Sequence, residues 1–169
     1  MAYTPHTWVT GETITADKLN NIDEALRRAS SGIQAHNLGT QTIGATTQFT
    51  VYLDEARYNG GTGFTMGSNE IVCNFDGLVA VSARMYCNSG FTAGDQVILS
   101  IGKNSDVVES TSHKMQSTGG ETVTCKTVII EVAKGDVLKL KAQNVTGARG
   151  TIGNSSGTYA NRMTAHYLA

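Results

Sequence analysis

The chain has 169 residues, a formal net charge of −1 and only 16% charged residues. That length holds one domain with appendages. The near-neutral charge leaves no electrostatic case for nucleic acid or an anionic membrane surface, and no run approaches the roughly 20 apolar residues of a membrane span.

Residues 1–14 read as a polar arm carrying Tyr3, Pro5, His6 and Trp8, with the chain's single proline and single tryptophan. The arm lacks a basic and then apolar leader, so the protein is expected to be made in a cytoplasm without a signal peptide. The Trp8 ring needs a burial site. Two remain open: folding back on the next element, or docking into another protein.

Residues 15–32 read as one helix. Thr15 is an N-cap and Ile14 and Leu19 have hydrophobic-staple spacing. Asp23–Arg27 and Glu24–Arg28 are i,i+4 pairs, and Gly32 is the expected left-handed stop. Leu19, Ile22, Leu26 and Ala29 are spaced 3, 4, 3, an a/d seam with Leu at a and Ile at d, which favours three or four strands. Lys18 at g then reaches Asp23 at e of a neighbouring chain. Packing of this helix on its own domain is the alternative, since a helix of about 25 Å is marginal alone.

Residues 33–40 read as a linker, and from 41 the apolar period becomes two. Val79, Val81, Ala83, Met85 and Cys87 share one face, with Ser82, Arg84 and Tyr86 opposite. Val97, Leu99 and Ile101 alternate likewise, as do Leu138, Leu140 and Ala142, and Met163, Ala165 and Tyr167. The run Val128–Val132 is apolar on both faces, as a strand between the core and a neighbouring chain would be. Eight strands follow, at about 41–53, 70–75, 78–87, 96–102, 106–111, 121–133, 136–143 and 159–168. They predict an all-β, eight-stranded antiparallel jelly-roll sandwich over 41–169. Connections alternate long and short. The long ones (54–69, 88–95, 112–120, 144–158) should gather at one tip, away from the helix, where binding usually resides.

Two stretches carry family resemblances. Cys73-Asn74-Phe75-Asp76-Gly77-Leu78, Val97–Asn104, Val128–Leu140 around Lys134-Gly135-Asp136, and the closing Tyr167-Leu168 resemble the tumour-necrosis-factor-like jelly roll, including the globular heads of the first complement component. That resemblance implies a homotrimer. Leu78-Val79-Ala80-Val81 departs from it, because the family places aromatics there. Tyr3–Trp8, Gly11-Glu12, Ile14–Ala16 and Leu19-Asn20 resemble the leader of small structural proteins of tailed bacteriophages, which precedes a short coil and a fibre or knob. It implies that Tyr3, Pro5, His6 and Trp8 anchor the chain to other virion proteins of the tail, baseplate or capsid, with the knob outward on the virion surface.

No catalytic or cofactor motif is present: no G-x-S-x-G, H-E-x-x-H, P-loop lysine or EF-hand loop. No cofactor or metal is expected, and the chain is expected not to be an enzyme. Cys73, Cys87 and Cys125 read as buried reduced thiols, a Cys73–Cys87 disulfide requiring neighbouring strands. The four histidines read as surface or satisfied groups. Asp54-Glu55 and Asp106–Glu109 are the close carboxylate groupings outside the helix; a glycan hydrolase could use such a pair, and a solvated pair is the plainer reading. Among the tip loops, Arg57, Tyr58, Asn59, Arg149, Asn154 and Tyr159 offer planar polar groups beside an aromatic ring. These suit a host-surface carbohydrate as well as ordinary hydration. The expectation is a trimeric tail-fibre or receptor-binding protein, with a head fibre or capsid decoration protein as the alternative.

Overall fold

A computed structural model describes residues 7, 9–37, 39–44, 47–146, 150–153 and 160–168. The helix, α1, spans Ala16–Ala29. Thr15 caps it, its hydroxyl accepting from Lys18 N at 3.4 Å. Arg27 pairs with Asp23 at 2.9 Å and Arg28 with Glu24, as the spacing predicts. The stop differs from expectation. Ser30 is the C-cap, its N–H bonded to Leu26 O at 3.1 Å, and Gly32 already belongs to a strand. That glycine lies under the exposed His166 side chain of the next strand, which a Cβ there would push aside.

The residues expected as a linker form β1 (Gly32–His36), whose Ile33 and Ala35 are fully buried. Five residues are too few for periodicity to separate from a loop, and pairing on both sides fixes them as a strand. The first predicted strand, 41–53, divides into β2 (Gln41–Ile43) and β3 (Phe49–Thr50) because the chain changes sheets between them. The 54–69 connection is no tip loop: it holds β4 (Glu55–Gly60) and β5 (Phe64–Met66). Then follow β6 (Ile71–Cys73), β7 (Gly77–Ser89), β8 (Gln96–Lys103), β9 (Asp106–Lys114), β10 (Glu121–Val132), β11 (Val137–Asn144), β12 (Gly150–Ile152) and β13 (Arg162–Tyr167).

These strands make two antiparallel sheets. The first runs β2-β12-β7-β13-β1-β4, with β10 on the other side of β7; the second runs β5-β6-β11-β8-β9, with β3 beside β11. Every predicted inward face is buried between them: Val79 to Cys87 of β7, Val97, Leu99 and Ile101 of β8, Leu138, Leu140 and Ala142 of β11, and Met163, Ala165 and Tyr167 of β13. In β10 a register shift between Cys125 and Val128 changes which face each parity occupies. Val123, Cys125, Ile130 and Val132 therefore all point inward, while Ile129 turns out and is 61% exposed. The doubly apolar run thus has one buried and one exposed face.

The tight turns do gather at one end. Asp136 closes the β10–β11 turn by accepting from Ala133 N at 2.9 Å, and accepts Asn104 Nδ2 from the β8–β9 turn at 2.9 Å. Asp76 of the β6–β7 turn accepts Lys134 N at 2.7 Å. Both carboxyls are held below their usual range, Asp76 by the Lys134 N–H and Asp136 chiefly by Asn104. This is the helix end, since Tyr167 N bonds Ser31 O. At the opposite end the bases of three long connections are tied. Met115 N bonds Asp95 O and Val145 N bonds Gln96 O, each at 2.8 Å. Thr146 Oγ1 donates to Asp95 Oδ1 at 3.0 Å.

All three cysteines are buried and unbridged. Cys73 lies in the second sheet and Cys87 in the first, which removes the disulfide alternative. Burial pushes both thiols up to about 12, so neither offers a thiolate near neutral pH.

Candidate functional site

Two exposed apolar surfaces stand out, one along the helix and one on the first sheet. On α1, Leu19 is 53% and Leu26 64% exposed. Ala29 is exposed and Ile22 half-buried. No residue of the helix is fully buried. Three of the four seam residues, Leu19, Leu26 and Ala29, are therefore presented to solvent by the single chain, while Ile22 is partly covered. Lys18 does not behave as expected. It pairs with Glu12 of its own chain, and Asp23 with Arg27, so an interchain Lys18–Asp23 bridge would first have to break both. Where α1 meets the body, the Arg28 guanidinium lies over the Phe75 ring at 5.4 Å.

Beside the helix, the outer face of the first sheet is ordered by strand register. One row runs Gly60, Gly32, His166, Ala80 and Ile129 across β4, β1, β13, β7 and β10. With Leu78, 48% exposed, Ile129 makes an apolar patch at this end. The next rows are polar: Tyr58, Gln34, Thr164 and Ser82, then Glu55, His36, Arg162, Arg84 and Thr124. Arg162 and Arg84 are direct cross-strand partners, a like-charge pairing that sheets disfavour. Burial and the neighbouring Arg162 both lower the Arg84 pKa. His36 is neither a surface nor a satisfied histidine. It is 1% exposed, and its Nε2 has no hydrogen-bond partner among the described residues. Burial, reinforced by Arg57, lowers its pKa and keeps the ring neutral. This band was not legible beforehand, because only the register sets His36, Arg162 and Arg84 side by side.

Arg57, Tyr58 and Asn59 are exposed on β4, an edge strand, and Asn59 pairs with Ile33 near the helix end rather than at the far tip. Arg149, Asn154 and Tyr159, like the anchoring residues Tyr3, Pro5, His6 and Trp8, lie outside the described residues. Asp54 and Glu55 are both exposed, Asp54 accepting from Asn37 Nδ2 at 3.3 Å. Among the described residues no group of three or more His, Cys, Asp or Glu could hold a metal ion, and no helix is long and apolar enough to cross a membrane.

No family model and no curated protein matches the sequence. Solved structures do match its fold. Murine APRIL at pH 5.0 superposes with a TM-score of 0.61 at 10% identity, covering 82% of this chain and 99% of that one. The globular domain of zebrafish complement 1qA protein gives 0.52 at 10% identity, over 82% and 98%. PRD1 vertex protein P5 gives 0.57 at 18% identity, over 83% and 74%. At these identities the likeness is one of fold: an all-β, antiparallel sandwich of the tumour-necrosis-factor-like jelly-roll type, preceded by one helix.

Proposed function

We propose that the chain is a non-enzymatic, homotrimeric surface protein of a tailed-phage virion. Its residues 1–14 anchor it, α1 is the stalk, and the jelly roll is an outward knob that contacts the host. The observation that carries this reading is exposed apolar surface in two places, Leu19 and Leu26 on α1 and Leu78 and Ile129 on the first sheet. A single chain leaves it wet; three copies around one axis would cover it. The fold shared with a vertex protein supports a virion role. Sedimentation at micromolar concentration tests the assembly. A trimer is expected, and a stable protomer would overturn the proposal.

The second reading, a head fibre or capsid decoration protein anchored through the arm, is favoured by one observation: the PRD1 neighbour is a vertex protein. Immunogold labelling of particles separates the two. Label at the tail supports the receptor-binding role, label over the head supports decoration, and no label on particles overturns both.

A further inference from the structure

A groove of about 500 Å³ opens on the flank of the sandwich, lined by Tyr52, Leu53, Asp54, Gly67, Ser68 and Asn69. It is shallow and widely open to solvent. One wall is the extended stretch between β3 and β4. Val51 and Leu53 are buried, so alternation sends the Tyr52 and Asp54 side chains together to the solvent side. The wall is fixed at several points. Val51 N bonds Leu140 O at 2.8 Å and Asp54 N bonds His36 O at 2.9 Å. The Gln41 carboxamide clamps the middle, accepting from Tyr52 N at 3.0 Å and donating to Thr50 O at 3.1 Å.

The facing wall is the β5–β6 turn. Gly67 N bonds Glu70 O at 2.9 Å, and Glu70 is tied to Lys139 of β11 at 3.2 Å. Asn69 takes a left-handed conformation, φ 63°, that few non-glycine residues adopt. Among the described residues, neither the Ser68 hydroxyl nor the Asn69 carboxamide has a hydrogen-bond partner. The Tyr52 ring is 49% exposed on the opposite wall.

We infer that this groove binds a neutral saccharide. The Tyr52 face provides a flat apolar platform for a pyranose ring. The Asp54 carboxylate accepts from sugar hydroxyls, and Asn69 and Ser68 both donate and accept. The same lining argues against other ligands. It contains no cationic side chain to balance a phosphate or sulfate, and one carboxylate is too few for a hard cation. Its one aliphatic side chain, Leu53, is buried and cannot meet an apolar guest. The inference deepens the host-contact part of the proposed function.

The test is chemical-shift mapping on the full chain with three probes at millimolar concentration: methyl α-glucopyranoside, methyl β-galactopyranoside and N-acetylglucosamine. Saturable shifts at residues 52–54 and 67–69 with at least one probe are expected. Tyr52→Ala should weaken that binding about tenfold, the order set by loss of a central aromatic contact, while Tyr52→Phe stays within about twofold. Asn69→Gly suits the left-handed backbone and should also weaken binding, with unchanged melting. Absence of shifts with all three probes, shifts confined to other residues, or wild-type affinity in both Tyr52→Ala and Asn69→Gly would overturn the inference. The measurement uses free protein. Missing label on particles would therefore sink the virion role without touching the groove, and a silent groove would leave the virion role standing.

Discussion

The Tyr167 phenol hydrogen-bonds both backbone groups of Phe75, donating to its carbonyl oxygen at 2.6 Å and accepting from its N–H at 3.1 Å. The ring also stacks on Phe64 with centroids 4.7 Å apart and meets Phe75 edge-on at 6.1 Å. One side chain thus joins the last strand to the segment before β7, at the end where the helix enters. Tyr167→Phe keeps the ring contacts and removes both hydrogen bonds. It should cost about 1–3 kcal/mol in urea unfolding. A change under about 0.5 kcal/mol would show that water replaces the phenol.

Glu121 holds the far-end 115–120 connection. It accepts from Gln116 N at 2.7 Å, from the Ser117 N–H and hydroxyl, and bonds His113 Nε2 at 2.7 Å. The His113 bond, followed by those from Ser117 and Gln116, lowers its carboxyl to about 2 against the cost of burial. A depressed folded value stabilises above the ordinary carboxylate range, and that contribution is lost as pH falls towards 2. Glu121→Ala should lower melting at pH 7 by about 2–8 °C, the equivalent of about 1–2 kcal/mol. The gap from wild type should narrow towards pH 2, which melting curves across that window will read.

At the alkaline side the sign reverses. Burial raises the folded Cys73 and Cys87 thiols to about 12, and raises Tyr167 as well. Stability held below the ordinary thiol range is therefore lost as pH rises from about 9 towards 12. Each thiol contributes a slope of up to about 1.4 kcal/mol per pH unit. Cys87→Ala should flatten the urea midpoint profile in this window, and an unchanged slope would show that the thiol stays protonated in both states.

Gly150 is a packing glycine. A Cβ there would overlap the ring of Phe91, which is fully buried. Gly150→Ala should destabilise by about 1–3 kcal/mol through overpacking. Phe91→Leu, destabilising alone, should recover part of that loss in the double variant. Simple additivity of the two changes would refute the clash.

The self-association surface can be separated from the fold. Leu19→Asp with Leu26→Asp changes side chains that the single chain leaves more than half exposed. Unfolding should move by no more than about 0.5 kcal/mol per site in the protomer. Sedimentation should show a splayed, more extended particle with the head still assembled. Ile129→Glu, on the head itself, should weaken the assembly. Wild-type sedimentation by both variants would show that neither surface is used.

The sandwich was legible because its long strands bury one face. Val79 to Cys87 alternates over most of a 13-residue strand, long enough for a period of two to be unmistakable, and the alternating stretches at Val97 and Leu138 lie in strands of eight. What escaped was short or irregular. β1 has five residues and β12 three, lengths at which pairing, not pattern, decides. The β10 shift defeats a parity count in the very run where both parities are apolar. The polar band of His36, Arg162 and Arg84 joins three distant segments, and the Tyr52 groove joins two. Neither leaves a local motif. The helix itself needed only its cap and its i,i+4 pairs, which the structure shows.

The register shift in β10 has a further result. Among the described residues β10 has a strand neighbour only on its β7 side, so its other rim is a sheet edge without a ladder partner. A flat rim twelve residues long would template endless stacking in a crowded cell. The irregularity between Cys125 and Val128 breaks that ladder near its middle, so only short, mismatched segments remain for an intruder to zip onto.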